Sequence, residues 1–153
     1  MNLTDILHPS CVLTDMHAPD KTAAITQLVD VLAANDQLVD REAVLKAVME
    51  REATRSTGIG DGLAVPHGKS NGCRKLAMSI GRPREPIDFE SADGKPVELV
   101  VLLASPPDQT GPHIQALAKV SRLMLSESFR TRFRAAGTSE QAYQIIAEFD
   151  SSA

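Results

Sequence analysis

"PIDFESADGKPVELVVLLASPP", residues 86–107, is the stretch on which the fold turns. Val97 to Ala104 is almost continuously apolar, the pattern of a central strand covered on both faces. Before it, a short strand and an Asp93-Gly94 turn are expected. A strand buried on both sides needs a layer above and a layer below. The flanking sequence supplies helices for both.

Upstream, "DKTAAITQLVDVLAAND" places Ile25, Leu28, Val29 and Leu32 at helical spacing, with Asp20 as the cap. A second helix follows Asp40, with Val44, Ala47, Val48 and Met49 facing inward, and stops at "REATRSTG". "KLAMSI" alternates Leu76, Met78 and Ile80 with smaller or polar residues, which predicts a half-buried strand. Downstream, "GPHIQALAKVSRLMLSES" returns to helical spacing through Ile114, Leu117, Ser121, Met124 and Leu125. A short helix is expected near Phe129 to Ala135, ending at Gly137, and a last one opens on a Thr138/Gln141 capping box. Helices on both sides of a strand block predict an α/β sandwich around a mixed sheet, in a single domain over residues 1–149. Residues 150–153 read as a frayed tail.

Composition narrows the function. The 153 residues suit one domain, and 42% are hydrophobic, enough for a packed core. With no Trp, one Tyr and four Phe, there is no supply of stacking platforms for single strands. The formal net charge of −4 offers no basic stripe for a phosphate backbone, so no nucleic acid partner is expected. Arg130, Arg132 and Arg134 read as a solvated helix face. Cys11 and Cys73 have neither metal-type spacing nor a disulfide framework, favouring a reducing compartment. "MNLTDILHPS" is not a signal peptide, and no run reaches the roughly 20 apolar residues of a membrane span. A cytoplasmic protein without membrane insertion is expected.

The chemistry lies in "STGIGDGLAVPHGKS", residues 56–70. Its glycines at 58, 60 and 62 could cradle a phosphate, yet both nucleotide signatures fail: G-x-G-x-x-G meets Leu63 at its last position, and Gly68-Lys69-Ser70 has no glycine in the P-loop register before it. What remains is a short strand, Leu63 to Val65, delivering Pro66-His67-Gly68. Pro66 fixes φ, Gly68 tolerates unusual dihedrals and leaves the ring uncovered, and a neutral imidazole is a competent nucleophile. On these residues alone, His67 is either a hydrogen-bonded turn residue or a nucleophile. His113 is either a helix cap or a site residue, and Arg51 either a solvated charge or a site residue. His8 and His17 read as surface histidines. A zinc site on His67 and His113 has no third ligand, so neither metal nor cofactor is expected.

"RE" at 51–52, "STGIGDGLAVPHGK" at 56–69 and "PPDQTGPHIQALAKVSRLM" at 106–124 together resemble the enzyme IIA domains of the bacterial phosphoenolpyruvate-dependent phosphotransferase system, fructose/mannitol/nitrogen-regulatory type. The resemblance covers nearly the whole chain and is carried by G-I-G-x-G-x-A-x-P-H-G. It implies that His67 accepts a phosphoryl group, through Nε2, from a phosphorylated HPr-like carrier. By the same resemblance, His113 matches the family's second histidine and Arg51 its site arginine. Asp61 falls where some members carry an acidic residue. "MNLTDILHPSCV", with no IIB, IIC or HPr-like segment in the 153 residues, leans toward the nitrogen-regulatory branch. There the phosphorylation state controls regulated target proteins in nitrogen, carbon or potassium homeostasis. The alternative is a sugar-specific enzyme IIA passing its phosphoryl group to a IIB domain.

Overall fold

The structure, a computed structural model, describes residues 2–151. A single 3₁₀ turn, Leu3–Asp5, leads into β1 (Leu7–Met16), followed by α1 (Lys21–Ala34) and α2 (Arg41–Thr54). Three short strands come next: β2 (Gly58–Gly60), β3 (Leu63–Ala64) and β4 (His67–Lys69). Then follow β5 (Ala77–Pro83), β6 (Leu99–Ser105), α3 (Thr110–Leu125), α4 (Glu127–Ala135) and α5 (Ser139–Ser151). The sheet runs β1-β5-β6-β3-β2, and β4 also pairs with β6. Its ladders are mixed: β1 is parallel to β5, β5 antiparallel to β6, β6 parallel to β3 and β4, and β3 antiparallel to β2. The expected α/β sandwich with a mixed sheet is what the chain forms.

Residue by residue, β5 shows where the two layers lie. Ser79 donates its hydroxyl to the Leu28 carbonyl of α1 at 3.0 Å, so that face meets α1. Its neighbour Ile80 sits among Val120, Phe129 and Ile146, on the α3–α5 side. Successive strand residues point to opposite faces, so helices cover both. The half-buried strand expected at "KLAMSI" is therefore wholly buried at Ala77–Gly81. Its alternation is one of size: Ala77, Ser79 and Gly81 are small because α1 lies close. A Cβ on Gly81 would stand 2.7 Å from the Met16 sulfur and 3.2 Å from a Leu28 methyl.

All of β6 is buried, as its apolar run predicts. The short strand expected before it shrinks to one bridge, Ile87↔Val97. The caps follow the sequence: Asp20 accepts from the Ala23 amide at 2.8 Å, Asp40 from Ala43 at 3.2 Å and Thr138 from Gln141 at 3.1 Å. The Gln141 side chain reaches back to the Gly137 amide at 2.9 Å.

Two expectations are corrected. On α3 the buried stripe is His113, Ala116, Val120, Leu123 and Met124. It lies one residue round from the expected stripe, because His113 is drawn inward to Ser105 while Ile114 and Leu125 stay 60% and 74% exposed. At the other end, α5 continues past 149. Asp150 is buried and accepts from the Leu3 amide at 2.6 Å and from Lys119 Nζ at 3.2 Å, tying the start of the chain to α3 and α5. Ser152 and Ala153, the rest of the expected tail, lie outside the described residues.

The arginines of α4 are engaged: Arg130 with the Met124 carbonyl, Arg132 with Glu148 and Arg134 with Glu98. Cys11 and Cys73 are buried free thiols. No helix among the described residues is long and apolar enough to cross a membrane.

Candidate functional site

β3 and β4 pair with β6 on either side of a break at Val65-Pro66. Pro66 has no N–H, so nothing is left unpaired on that side. Val65 donates its amide to the Thr57 carbonyl at 3.0 Å, and its own carbonyl lies 2.8 Å from His67 Nδ1. A carbonyl only accepts, so Nδ1 carries the hydrogen and, in the neutral ring, Nε2 keeps its lone pair. The ring thus belongs to the first residue of β4, just past the expected strand end, in the tautomer a nucleophilic Nε2 requires.

Gly68 has a different use from the one expected. Its φ is not in the left-handed region. Instead, a Cβ there would stand 2.9 Å from the Val48 amide nitrogen and 3.1 Å from the Ala47 carbonyl carbon. Glycine lets α2 lie directly on β4, one helical turn before Arg51. Left-handed backbone occurs instead at Gly60 and Gly62, with φ of +106° and +79°, in the turn joining β2 to β3. Asp61, between them, is also left-handed at +56°; it is exposed, and its amide donates to Asp93 at 3.2 Å. It does not line the cleft described next.

Arg51 and His67 share an open cleft of about 720 Å³ whose walls include Arg55, Ile59, Leu117 and Ser121. Arg51 Nη1 donates to the Arg55 carbonyl at 2.8 Å, closing the C-terminal end of α2. The next residue, Glu52, is buried, a role the sequence reading did not anticipate. It accepts from the Thr57 amide at 2.9 Å and the Thr57 hydroxyl at 2.5 Å, and Lys21 lies 3.8 Å away. Glu52 thereby fastens the strand leading to the glycine turn onto the helix that carries Arg51. A buried carboxylate at a helix C-terminus is placed against the dipole, and only those partners explain it; helical spacing gave no hint.

His113 sits in the first turn of α3 and is buried. Its ring centroid is 5.3 Å from that of His67, with the planes at 67°. Nδ1 is 2.8 Å from Ser105 Oγ, and Nε2 has no partner among the described residues. Burial first, then the charges of His67 and Lys69, push its pKa down to about 4, so the ring is neutral at pH 7. The structure thus brings Arg51, His67 and His113 to one place and leaves Asp61 in a turn. His8 and His17 are exposed, as expected.

The family model for the phosphoenolpyruvate-dependent sugar phosphotransferase system, EIIA 2, matches residues 5–149. The chain belongs to this EIIA family. A nitrogen regulatory protein of Bradyrhizobium diazoefficiens is 33% identical over 147 residues, 96% of this chain and 95% of its own. The fructose-specific EIIABC component of Bacillus subtilis is 32% identical over 98% of this chain, which spans only 24% of that longer protein. Among solved structures, nitrogen regulatory protein IIA-Ntr from Neisseria meningitidis superposes with a TM-score of 0.82 at 29% identity, covering 94% of this chain and 98% of its own. Membership carries phosphotransfer as a general activity, and the relatives include both regulatory and sugar-specific proteins.

Proposed function

We propose that this EIIA protein is a phosphocarrier of the nitrogen-regulatory kind, accepting a phosphoryl group on His67 Nε2 from a phosphorylated HPr-like protein. The observation that carries the reading is the Nδ1–H bond to the Val65 carbonyl, which frees the Nε2 lone pair in a ring lining the cleft. In the transfer, the P–N bond to the carrier's histidine breaks as the bond to His67 Nε2 forms, and the Nδ1 hydrogen stays where it is. Donor and acceptor are both imidazoles, so the barrier is lowered mainly by charge placed around the phosphoryl oxygens. Arg51 supplies a permanent cation. In the tautomer in which the Ser105 hydroxyl donates to His113 Nδ1, Nε2 carries a hydrogen with no acceptor among the described residues, and a phosphoryl oxygen would accept it. Asp61 is given no part in the transfer.

The phosphoryl group adds roughly −2 charge in a cleft rimmed by apolar Ile59 and Leu117. Such a change admits one partner and repels another, which suits a protein whose phosphorylation state controls regulated targets in nitrogen, carbon or potassium homeostasis. Near-full-length similarity to nitrogen regulatory proteins supports this branch. Similarity to a fructose-specific EIIABC component favours the second reading, a sugar-specific EIIA that hands its phosphoryl group to a IIB domain.

Phosphoenolpyruvate, enzyme I and each HPr-like carrier of the source cell, supplied one carrier at a time, test this by intact mass. One acid-labile phosphoryl group on wild type, absent from His67→Ala, is expected, and Arg51→Ala slows its arrival about 100-fold. Preferential labelling by the nitrogen-type carrier supports regulation. Labelling by the sugar-type carrier with onward transfer to IIB supports uptake. Full labelling of His67→Ala moves the acceptor elsewhere.

A further inference from the structure

Arg55 is the C-cap of α2, in extended backbone (φ −166°, ψ 137°), and its carbonyl is the group that holds Arg51. Arg55 is exposed and is one of the residues that line the same cleft as His67. Of the ten arginines in the sequence, eight donate to a carboxylate or carbonyl: Arg41, Arg51, Arg74, Arg82, Arg84, Arg130, Arg132 and Arg134. Arg122, without such a bond among the described residues, borders a different pocket beside Lys119 and Asp150. The guanidinium left over at the cleft is that of Arg55. The carboxylates near it are committed: Glu90, on the cleft wall, pairs with Lys21 at 3.1 Å, and Glu52 is buried against Thr57. A planar fork with no acceptor among the described residues, on a residue that lines the same cleft as His67 and Arg51, is suited to an incoming phosphoryl oxygen.

We propose that Arg55 is a second catalytic arginine, contacting the phosphoryl group as it transfers to His67. This rests on the His67 reading and adds a contact to it. Arg51, with one N–H committed to the helix end, and Arg55, with none committed, approach the oxygens from adjacent points of the same helix terminus.

Phosphoramidate, a small donor, separates this role from docking of a protein carrier. Its P–N bond breaks with the electron pair leaving on ammonia, the His67 Nε2 lone pair makes the new P–N bond, and nothing is oxidised or reduced. Rates of labelling of the full chain are followed by intact mass for wild type, Arg55→Ala, Arg55→Gln, Arg55→Lys and His67→Ala, with melting curves alongside. The expected result is a rate about tenfold lower in both neutral variants, partly restored in Arg55→Lys, with melting unchanged. Wild-type rates with phosphoramidate in the neutral variants overturn the proposal. That holds even if their labelling by a protein carrier is slowed, because Arg55 then contacts the carrier. Labelling of His67→Ala at the wild-type rate is a different failure: it removes the acceptor on which both readings stand.

Discussion

Gly68→Ala tests the link between packing and site. The added methyl would meet the Val48 amide nitrogen at 2.9 Å, the Ala47 carbonyl carbon at 3.1 Å and a Val48 methyl at 3.1 Å. Two of the three atoms are helix backbone, which cannot rotate aside, so α2 must lift from β4 by roughly half an ångström to restore ordinary contact near 3.5 Å. Overpacking of this kind costs about 1–3 kcal/mol. At about 2–4 °C per kcal/mol for a chain of this size, melting should fall by about 4–8 °C for a 2 kcal/mol cost. Arg51 rides on the same helix one turn later, so its guanidinium shifts relative to His67 and phosphoryl transfer should slow about tenfold or more. Calorimetry and labelling by the carrier read the two effects separately. Gly111→Ala is the control: nothing lies within 4 Å of its added Cβ and its φ is not left-handed, so stability should hold or rise slightly. A Gly68→Ala protein that melts with wild type and labels at the wild-type rate would refute the close-approach argument.

Three further outcomes are expected. The depressed pKa of His113 means that, below pH 6.5, the unfolded chain takes up a proton that the folded ring refuses until about pH 4. Stability therefore falls as pH drops through that window, by on the order of 3 kcal/mol, and His113→Asn should lose this part of the slope in denaturant titrations at pH 7, 5.5 and 4.5. Glu52→Ala leaves the Thr57 amide and hydroxyl without their buried acceptor, so urea unfolding should show a loss of about 2–4 kcal/mol. Asp150→Ala frees the Leu3 amide and strands Lys119. A comparable loss, about 3 kcal/mol, should appear in the same measurement, while the initial rate of labelling at low temperature stays near wild type.

The layers were legible because they depend on periodicity and capping. The apolar run of β6 and the caps at Asp20, Asp40 and Thr138 state their roles in local sequence. β1 went unread for a physical reason: Pro9 interrupts it, and the ladder slips between Leu7 and Val12, so the period of two is lost at an edge strand where such defects are tolerated. The α3 stripe was misplaced because one polar residue, His113, is drawn into the core by a polar partner, which no hydrophobic count can see.

Recognition of the motif named three residues that share one place, and it named Asp61 for its neighbours in the sequence. The matched strings contain Glu52 and Gly68, yet the first was given no role and the second only a turn glycine's freedom, because both act through contacts with other segments. A glycine that admits a helix and a carboxylate that ties a strand have no signature of their own until the two elements meet. On the proposed reading the motif identifies the atom that reacts, whereas the packing of α2 on β4 sets how close the charge around it can come. On this argument, substitutions at Gly68 and Glu52 should lower the transfer rate while leaving the His67–Val65 hydrogen bond, and so the identity of the phosphorylated nitrogen, unchanged.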